Sequence, residues 1–115
     1  LRNGSVNLVN RIPYLWRAPR RGEIVAIRTT GTSIMYLKRI IALPGESVQM
    51  QGGRVWIDGR LLDEPYLGEA EPWEIGRRTL GPEDYFVMGD NRTMPKELHW
   101  GGVIKRSRIV GSTLW

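Results

Sequence analysis

The sequence predicts a mainly β, antiparallel domain, and three observations predict it. Glycine (14 residues) and proline (7 residues) are spread as punctuation between short apolar runs. Gly52-Gly53 and Asp58-Gly59 stand at hairpin spacing, and both pairs accept the positive φ that two-residue hairpin turns need. No stretch sustains the periodicity of an amphipathic helix over three turns. A length of 115 residues supports one small core and not two, so a single domain over residues 1–115 is expected.

In chain order, the first candidate strand is Val6–Val9, within "LRNGSVNLVN". "APRRGEIVAI" follows as turn, then strand: Arg20-Arg21-Gly22 makes an exposed basic corner, and Glu23–Arg28 is the strand. Met35–Leu43 is a long strand that stops at Pro44-Gly45. Val48–Gln51, Arg54–Ile57 and Arg60–Leu62 then form a three-stranded meander across the two glycine turns. Alternation along its middle strand puts Val55 and Ile57 on one face and Trp56 on the other. Residues 63–82, "DEPYLGEAEPWEIGRRTLGP", read as a long irregular loop over the surface. Tyr85–Met88 is an apolar strand that runs into the turn residues Gly89-Asp90-Asn91-Arg92, and Ile109–Leu114 is the last strand.

Composition removes several kinds of chemistry. There are no cysteines, which excludes disulfides, thiol catalysis and thiolate metal sites. The single histidine, His99, excludes a His-rich metal site, and any Ser-His-Asp triad would have to use it. A net charge of +5 suits an anionic membrane surface or nucleic acid, and is also common on plain solvated surfaces. Nucleic-acid binding would need aromatics alternating with cations on one sheet face, and Tyr36 beside Lys38 is a lone pairing of that kind, so no nucleic acid is expected. Five tryptophans, Trp16, Trp56, Trp73, Trp100 and Trp115, are many for this length. Most belong in packing, and some suit an apolar surface that dips into lipid headgroups.

The strand "MYLKRIIALPGE" carries the point of chemical interest. Lys38 and Arg39 are adjacent, so they face opposite sides of the strand. By simple alternation Tyr36, Ile40 and Ala42 share the Lys38 face, and Met35, Leu37 and Ile41 share the Arg39 face. Both faces are mostly apolar, so at least one cation points toward apolar surroundings. Burial disfavours an ammonium and lowers a lysine pKa. A neutral lysine is a general base that needs no histidine, as in Ser-Lys dyads. A lysine whose stem packs while its amine snorkels to water fits the same pattern. Arg39 cannot be neutralised and needs a carboxylate if it turns inward. Asp90, at the end of the Tyr85–Met88 strand, is a candidate partner for Arg39 or for Arg92.

Taken together these segments resemble the type I signal peptidases, membrane-bound Ser-Lys endopeptidases that remove secretory signal peptides. "PRRGEIVAI", "YLKRIIALPGE", "GGRVWIDGRLLDEPYL", "YFVMGDNR" and "IVGSTLW" resemble the family's boxes, in order and over nearly the whole chain. The resemblance implies antiparallel coiled sheets, a partly open β-barrel of the signal-peptidase type that self-cleaving SOS-response repressors share. It implies Lys38 as general base, and Met35, Tyr36 and Leu37 lining the groove that holds an extended substrate. Arg39, Gly89, Asp90, Asn91 and Arg92 would support the site. No metal or cofactor is implied. The implied partners are signal-peptide-bearing preproteins and the lipid surface. The implied location is the extracytoplasmic face of the cytoplasmic membrane, this portion itself being soluble.

The chain departs from the family pattern twice. The family's nucleophilic serine lies in a Ser-Met-x-Pro-Thr-Leu box, and Leu1 matches the last residue of that box. The serine is therefore expected upstream of Leu1, with a membrane anchor before it, and the 115-residue chain is expected to be inactive alone. Of the serines present, Ser5, Ser33, Ser47, Ser107 and Ser112, only Ser33 precedes the lysine strand closely enough to suggest a second dyad, and the family gives it no role. The last box also changes after Arg92. "TMPKELHWGG" has Pro95 or Met94 near the place of a serine that often hydrogen-bonds the lysine, and Glu97 and His99 near an Asp and an Arg. These departures leave two further readings open. One is a specialised relative, such as a conjugation-system maturation peptidase or a self-cleaving repressor domain. The other is a non-catalytic membrane-surface or nucleic-acid-binding β domain.

Overall fold

A computed structural model describes residues 8–10, 18–28, 35–65, 67–68, 70–90, 92–93 and 102–114. Among them the chain forms ten strands: β1 Leu8–Asn10, β2 Ile24–Arg28, β3 Met35–Ala42, β4 Ser47–Gln51, β5 Arg54–Ile57, β6 Arg60–Leu61, β7 Ile75–Thr79, β8 Asp84–Met88, β9 Gly102–Lys105 and β10 Ile109–Leu114. A 3₁₀ turn, Arg106–Arg108, separates the last two. The strands form two antiparallel sheets, ordered β1-β10-β2-β3-β8-β9 and β6-β5-β4-β7. Neither described sheet closes into a barrel.

Two apolar clusters hold the sheets. Between them lie Ile41, Ala42, Phe86 and Met88 of the larger sheet against Val48, Met50, Val55 and Ile57 of the smaller, with Trp73 and Leu80 added. The other face of the larger sheet carries Val25, Ile27, Ile40, Tyr85, Val87, Ile104 and Ile109. The larger sheet is therefore apolar on both sides, which is why β3 reads as nearly continuous apolar sequence rather than as an alternation. Val55 and Ile57 are buried and Trp56 is on the opposite face, as alternation requires.

Three expectations need correction. Simple alternation put Ala42 on the Lys38 face. The pairing of β3 with β8 shifts between Ile40 and Ala42, so two residues of β3 oppose one of β8. This bulge carries Ala42 into the inter-sheet core beside Ile41. The segment 63–82 was expected to be wholly irregular, but Ile75–Thr79 is a strand paired with β4. Four of its five residues, Gly76 to Thr79, are exposed, so it buries no alternating apolar set and leaves no periodic signal. Its arginines sit on a sheet edge, where charge deters pairing with other chains. β9 was also not anticipated. It is four residues long, pairs with β8, and carries only Val103 and Ile104 as apolar residues, one toward each cluster, too few to show a pattern. Of the first predicted strand, Leu8 and Val9 belong to a strand that runs on to Asn10 and pairs with β10, and Val6 and Asn7 lie outside the described residues.

The two predicted turns form as expected, and each does more than reverse the chain. Gly52 and Gly53 have φ of 59° and 80°. A Cβ on Gly53 would lie 2.6 Å from the backbone oxygen of Glu71, because residues 71–74 run directly past the turn. Gly53→Ala adds a clash to a strained φ, and we expect it to lower stability by about 1–3 kcal/mol, read as a fall in the denaturant midpoint with unchanged slope. At the second turn Asp58 takes a φ of 50°. Its carboxylate accepts the Ser47 backbone N–H at 2.9 Å and the Ser47 hydroxyl at 3.3 Å, which fixes the start of β4.

Candidate active site

Lys38 lies near the middle of β3, in register with Val25 of β2. Its face is that of Ile40, Val25 and Val87, all fully buried in the second apolar cluster. The lysine itself is half-buried at the margin of this cluster. Burial alone lowers its pKa below the ordinary lysine value. The amine is thus closer to the neutral, proton-accepting form than a surface lysine.

The sign of this shift makes a stability prediction. Below its folded pKa the charged amine carries the full desolvation cost, and that cost vanishes as pH rises toward the unfolded value of 10.5. Wild-type stability therefore gains with pH across that window. Lys38→Met should be at least as stable as wild type at neutral pH, and its advantage in Tm should shrink as pH approaches 10.5, read by thermal melts of both proteins.

Arg39 turns to the opposite face, where Ile41 and Met88 lie, and finds the carboxylate it needs. Its Nε and Nη2 donate to Asp90 Oδ1 and Oδ2 at 2.9 and 2.7 Å. Its Nη1 donates to the Gly22 carbonyl at 2.8 Å. Of the two expected partners for Asp90, the structure selects Arg39. The planar guanidinium thereby joins three segments: the basic corner, the lysine strand and the loop after β8. The corner is held a second time, since Arg21 is bidentate to Glu46 at 2.6 and 2.7 Å. Glu46 Oε1 also accepts the Leu43 N–H at 2.7 Å. Burial pushes the Glu46 carboxyl up, but Arg21 and the Leu43 N–H outweigh it and hold it below the usual range. Arg20 and Arg21 are exposed, as expected of a corner, but Arg21 is an exposed residue with a structural partner.

Arg92 goes elsewhere. Its side chain is fully buried, with Nη2 at 2.7 Å from Glu64 Oε2, and the Glu64 side chain is only 5% exposed. This contact lies off the hydrogen-bonding direction, so it is an attraction of charges rather than a directed bond. Arg92 Nε donates to the Gly89 carbonyl at 3.2 Å, which tightens the loop. Glu64 carries no role in the sequence reading. Its one signal there is the paired acidic residues that open "DEPYL", which look like ordinary loop composition.

Of the expected substrate-side residues, Tyr36 is 40% exposed and Leu37 is half-buried. The Met35 backbone is in register with Arg28 of β2. β8 ends in register with Arg39, so Met35 to Lys38 run on beyond its end. Ser47 is on the smaller sheet, held by Asp58, and Ser107 is in the 3₁₀ turn. Ser112 opposes Val25 on β10. Val25 thus stands between it and Lys38 in one cross-strand row, a separation of roughly 10 Å. Trp73 is buried in the inter-sheet core and Trp56 is half-buried. Asn91, Ser5, Ser33, Met94, Pro95, Glu97, His99, Trp16, Trp100 and Trp115 lie outside the described residues. Among the described residues no three acidic or histidine side chains gather to hold a metal ion, and no helix is long and apolar enough to cross a membrane.

A half-buried lysine thus stands on a strand that an arginine–aspartate clamp braces. The model of the family described as "Signal peptidase, peptidase S26" matches residues 1–115. The chain belongs to this family. It is 34% identical over 110 residues to "Probable signal peptidase I-2" of Synechocystis sp., covering 90% of this chain and 50% of that protein. It is 36% identical over 124 residues to "Signal peptidase I T" of Bacillus subtilis, covering 98% of this chain and 64% of that one. The crystal structure of a signal peptidase I from Enterococcus faecalis superposes with a TM-score of 0.63 at 25% identity, covering 84% of this chain and 97% of that one. The mainly β architecture of two antiparallel sheets is therefore a signal peptidase I fold, and the chain spans about half to two-thirds of the length of these curated signal peptidases.

Proposed function

We propose that residues 1–115 are the catalytic-type β domain of a Ser-Lys signal peptidase, in which Lys38 is the general base. The observation that carries this reading is the half-buried Lys38, its pKa lowered by burial, on a strand fixed by the Arg39–Asp90 clamp. The nucleophile is a serine of the parent chain, in a segment ahead of Leu1. Lys38 Nζ takes the serine Oγ proton as Oγ attacks the scissile carbonyl. Backbone N–H groups beside that serine stabilise the oxyanion. The Lys38 ammonium then returns the proton to the leaving amine, and water, activated by the same amine, releases the acyl group.

The substrate is a signal-peptide-bearing preprotein held extended along Met35, Tyr36 and Leu37. What supports this placement is that β3 continues past the end of β8 at this point. Arg39, Gly89, Asp90, Asn91 and Arg92 keep the strand and its neighbouring loop in place. The parent is anchored in the cytoplasmic membrane with this domain on the extracytoplasmic face, against the lipid surface.

The test is cleavage of a purified preprotein by the intact parent in lipid vesicles, followed by N-terminal sequencing of the product. We expect one cut, after a small residue at the end of the signal peptide. An intact preprotein after prolonged incubation with folded parent contradicts the reading.

A further inference from the structure

We infer that Glu64 is a positioning residue for catalysis, acting from the excursion between β6 and β7 of the smaller sheet through Arg92, on the loop that Asp90 ties to Arg39. This rests on Lys38 being the general base. Three contacts join the excursion to that loop. Glu64 and Arg92 form the buried ion pair at 2.7 Å, with side-chain exposures of 5% and 0%. The Glu71 N–H donates to the Arg92 carbonyl at 2.8 Å. Ala70 and Arg92 form a parallel bridge. The excursion is itself tied to the smaller sheet, since the Gly53 N–H donates to the Trp73 carbonyl at 3.0 Å and Gly53 packs against Glu71.

From Arg92 the path to the chemistry is short. Arg92 Nε holds the Gly89 carbonyl, and the next residue, Asp90, grips Arg39, the neighbour of Lys38. The loop is thus held from two sides, by Arg39 on the lysine strand and by Glu64 through Arg92. A buried guanidinium needs a counter-charge. Without Glu64, Arg92 moves toward water and draws Gly89 and Asp90 with it. The smaller sheet, which contributes no residue to the proposed proton transfer, then becomes part of what sets the Lys38 geometry.

The experiment compares kcat, KM and the pH profile of preprotein cleavage by the intact parent for wild type, Glu64→Gln, and the double variant Glu64→Leu/Arg92→Met. The double variant fills the buried space with apolar groups, so stability recovers while the hold on Gly89 does not. We expect both variants to lose kcat by about tenfold or more with KM within twofold, and to shift the acid limb of kcat/KM. Asp58→Ala, a lesion in the smaller sheet away from this loop, should keep the wild-type kcat and limb. Recovery of wild-type kcat together with stability in the double variant overturns the inference. So does a wild-type kcat and pH profile in Glu64→Gln. If neither variant folds, hydrogen exchange in the wild-type parent decides: the Glu71 amide and the amides of residues 89–93 must open together, and independent opening overturns the inference. Lys38→Ala is run alongside. A cleaving Lys38→Ala removes the underlying mechanism, whereas an inactive Lys38→Ala with a normal Glu64→Gln removes only this inference.

Discussion

Lys38→Ala in the intact parent should lower kcat for preprotein cleavage by about 10²–10⁴-fold, the usual contribution of a positioned general base. KM should change little, because in the proposed mechanism the lysine acts on the serine proton and not on the bound peptide. The protein should remain folded. Lys38 is half-buried at the margin of an apolar cluster and burial already disfavours its charge, so removing the amine relieves a cost. Lys38→Arg should be as inactive as Lys38→Ala, since a guanidinium stays protonated at every working pH. A purely electrostatic or packing role predicts the opposite ranking, with arginine retaining most of the activity. Progress curves for the three proteins at matched concentration separate the two cases.

Glu64→Ala or Arg92→Ala should each cost about 3–5 kcal/mol of stability, as much as truncating a core aromatic. Either substitution strands a charge that is almost entirely out of water, at side-chain exposures of 5% and 0%. For a chain of this length that loss lowers Tm by on the order of 15 °C. The pair is not expected to be worth that much in itself. Desolvating two charges offsets most of their attraction, so Glu64→Leu/Arg92→Met should recover most of the lost Tm. Equal and additive losses in the single and double variants, measured by thermal melts, would show that the charges do not interact. The pair of exposed Lys105 and half-buried Asp84, 2.7 Å apart, is the contrast, and Lys105→Ala should shift Tm by only a few degrees, since the Asp84 carboxylate keeps the Gly81 N–H.

What the sequence showed plainly was what backbone and burial determine locally. Gly52-Gly53 and Asp58-Gly59 announce their turns because few other residues adopt those φ values, and the meander follows from them. The apolar strands β2, β3, β4, β5 and β8 are legible because each fills a core. β7 and β9 were not: four of the five β7 residues are exposed, and β9 offers only Val103 and Ile104, one to each core, which is too short a run to read. The bulge at Ile41 was hidden as well. Its signal is a shift in pairing with β8, which a strand that is apolar on both faces does not reveal.

The site divides in the same way. Lys38 and Arg39 were legible as adjacent charges in an apolar strand, and the boxes named their family. That Asp90 serves Arg39 rather than Arg92 is a long-range choice, 51 residues apart, made by the path of the loop. Glu64 was invisible for the same reason. An acidic residue in a loop is almost always solvated, and only the fold brings it to a buried arginine.

In the proposed mechanism Lys38 accepts the serine proton. The most direct test titrates the Lys38 side chain by lysine-selective ¹³C NMR in the intact parent and sets the midpoint beside the acid limb of kcat/KM for preprotein cleavage. A proton-accepting Lys38 has a midpoint below the ordinary 10.5, coincident with the limb. A Lys38 midpoint at the ordinary value, or a limb that titrates elsewhere and persists in Lys38→Ala, would contradict it.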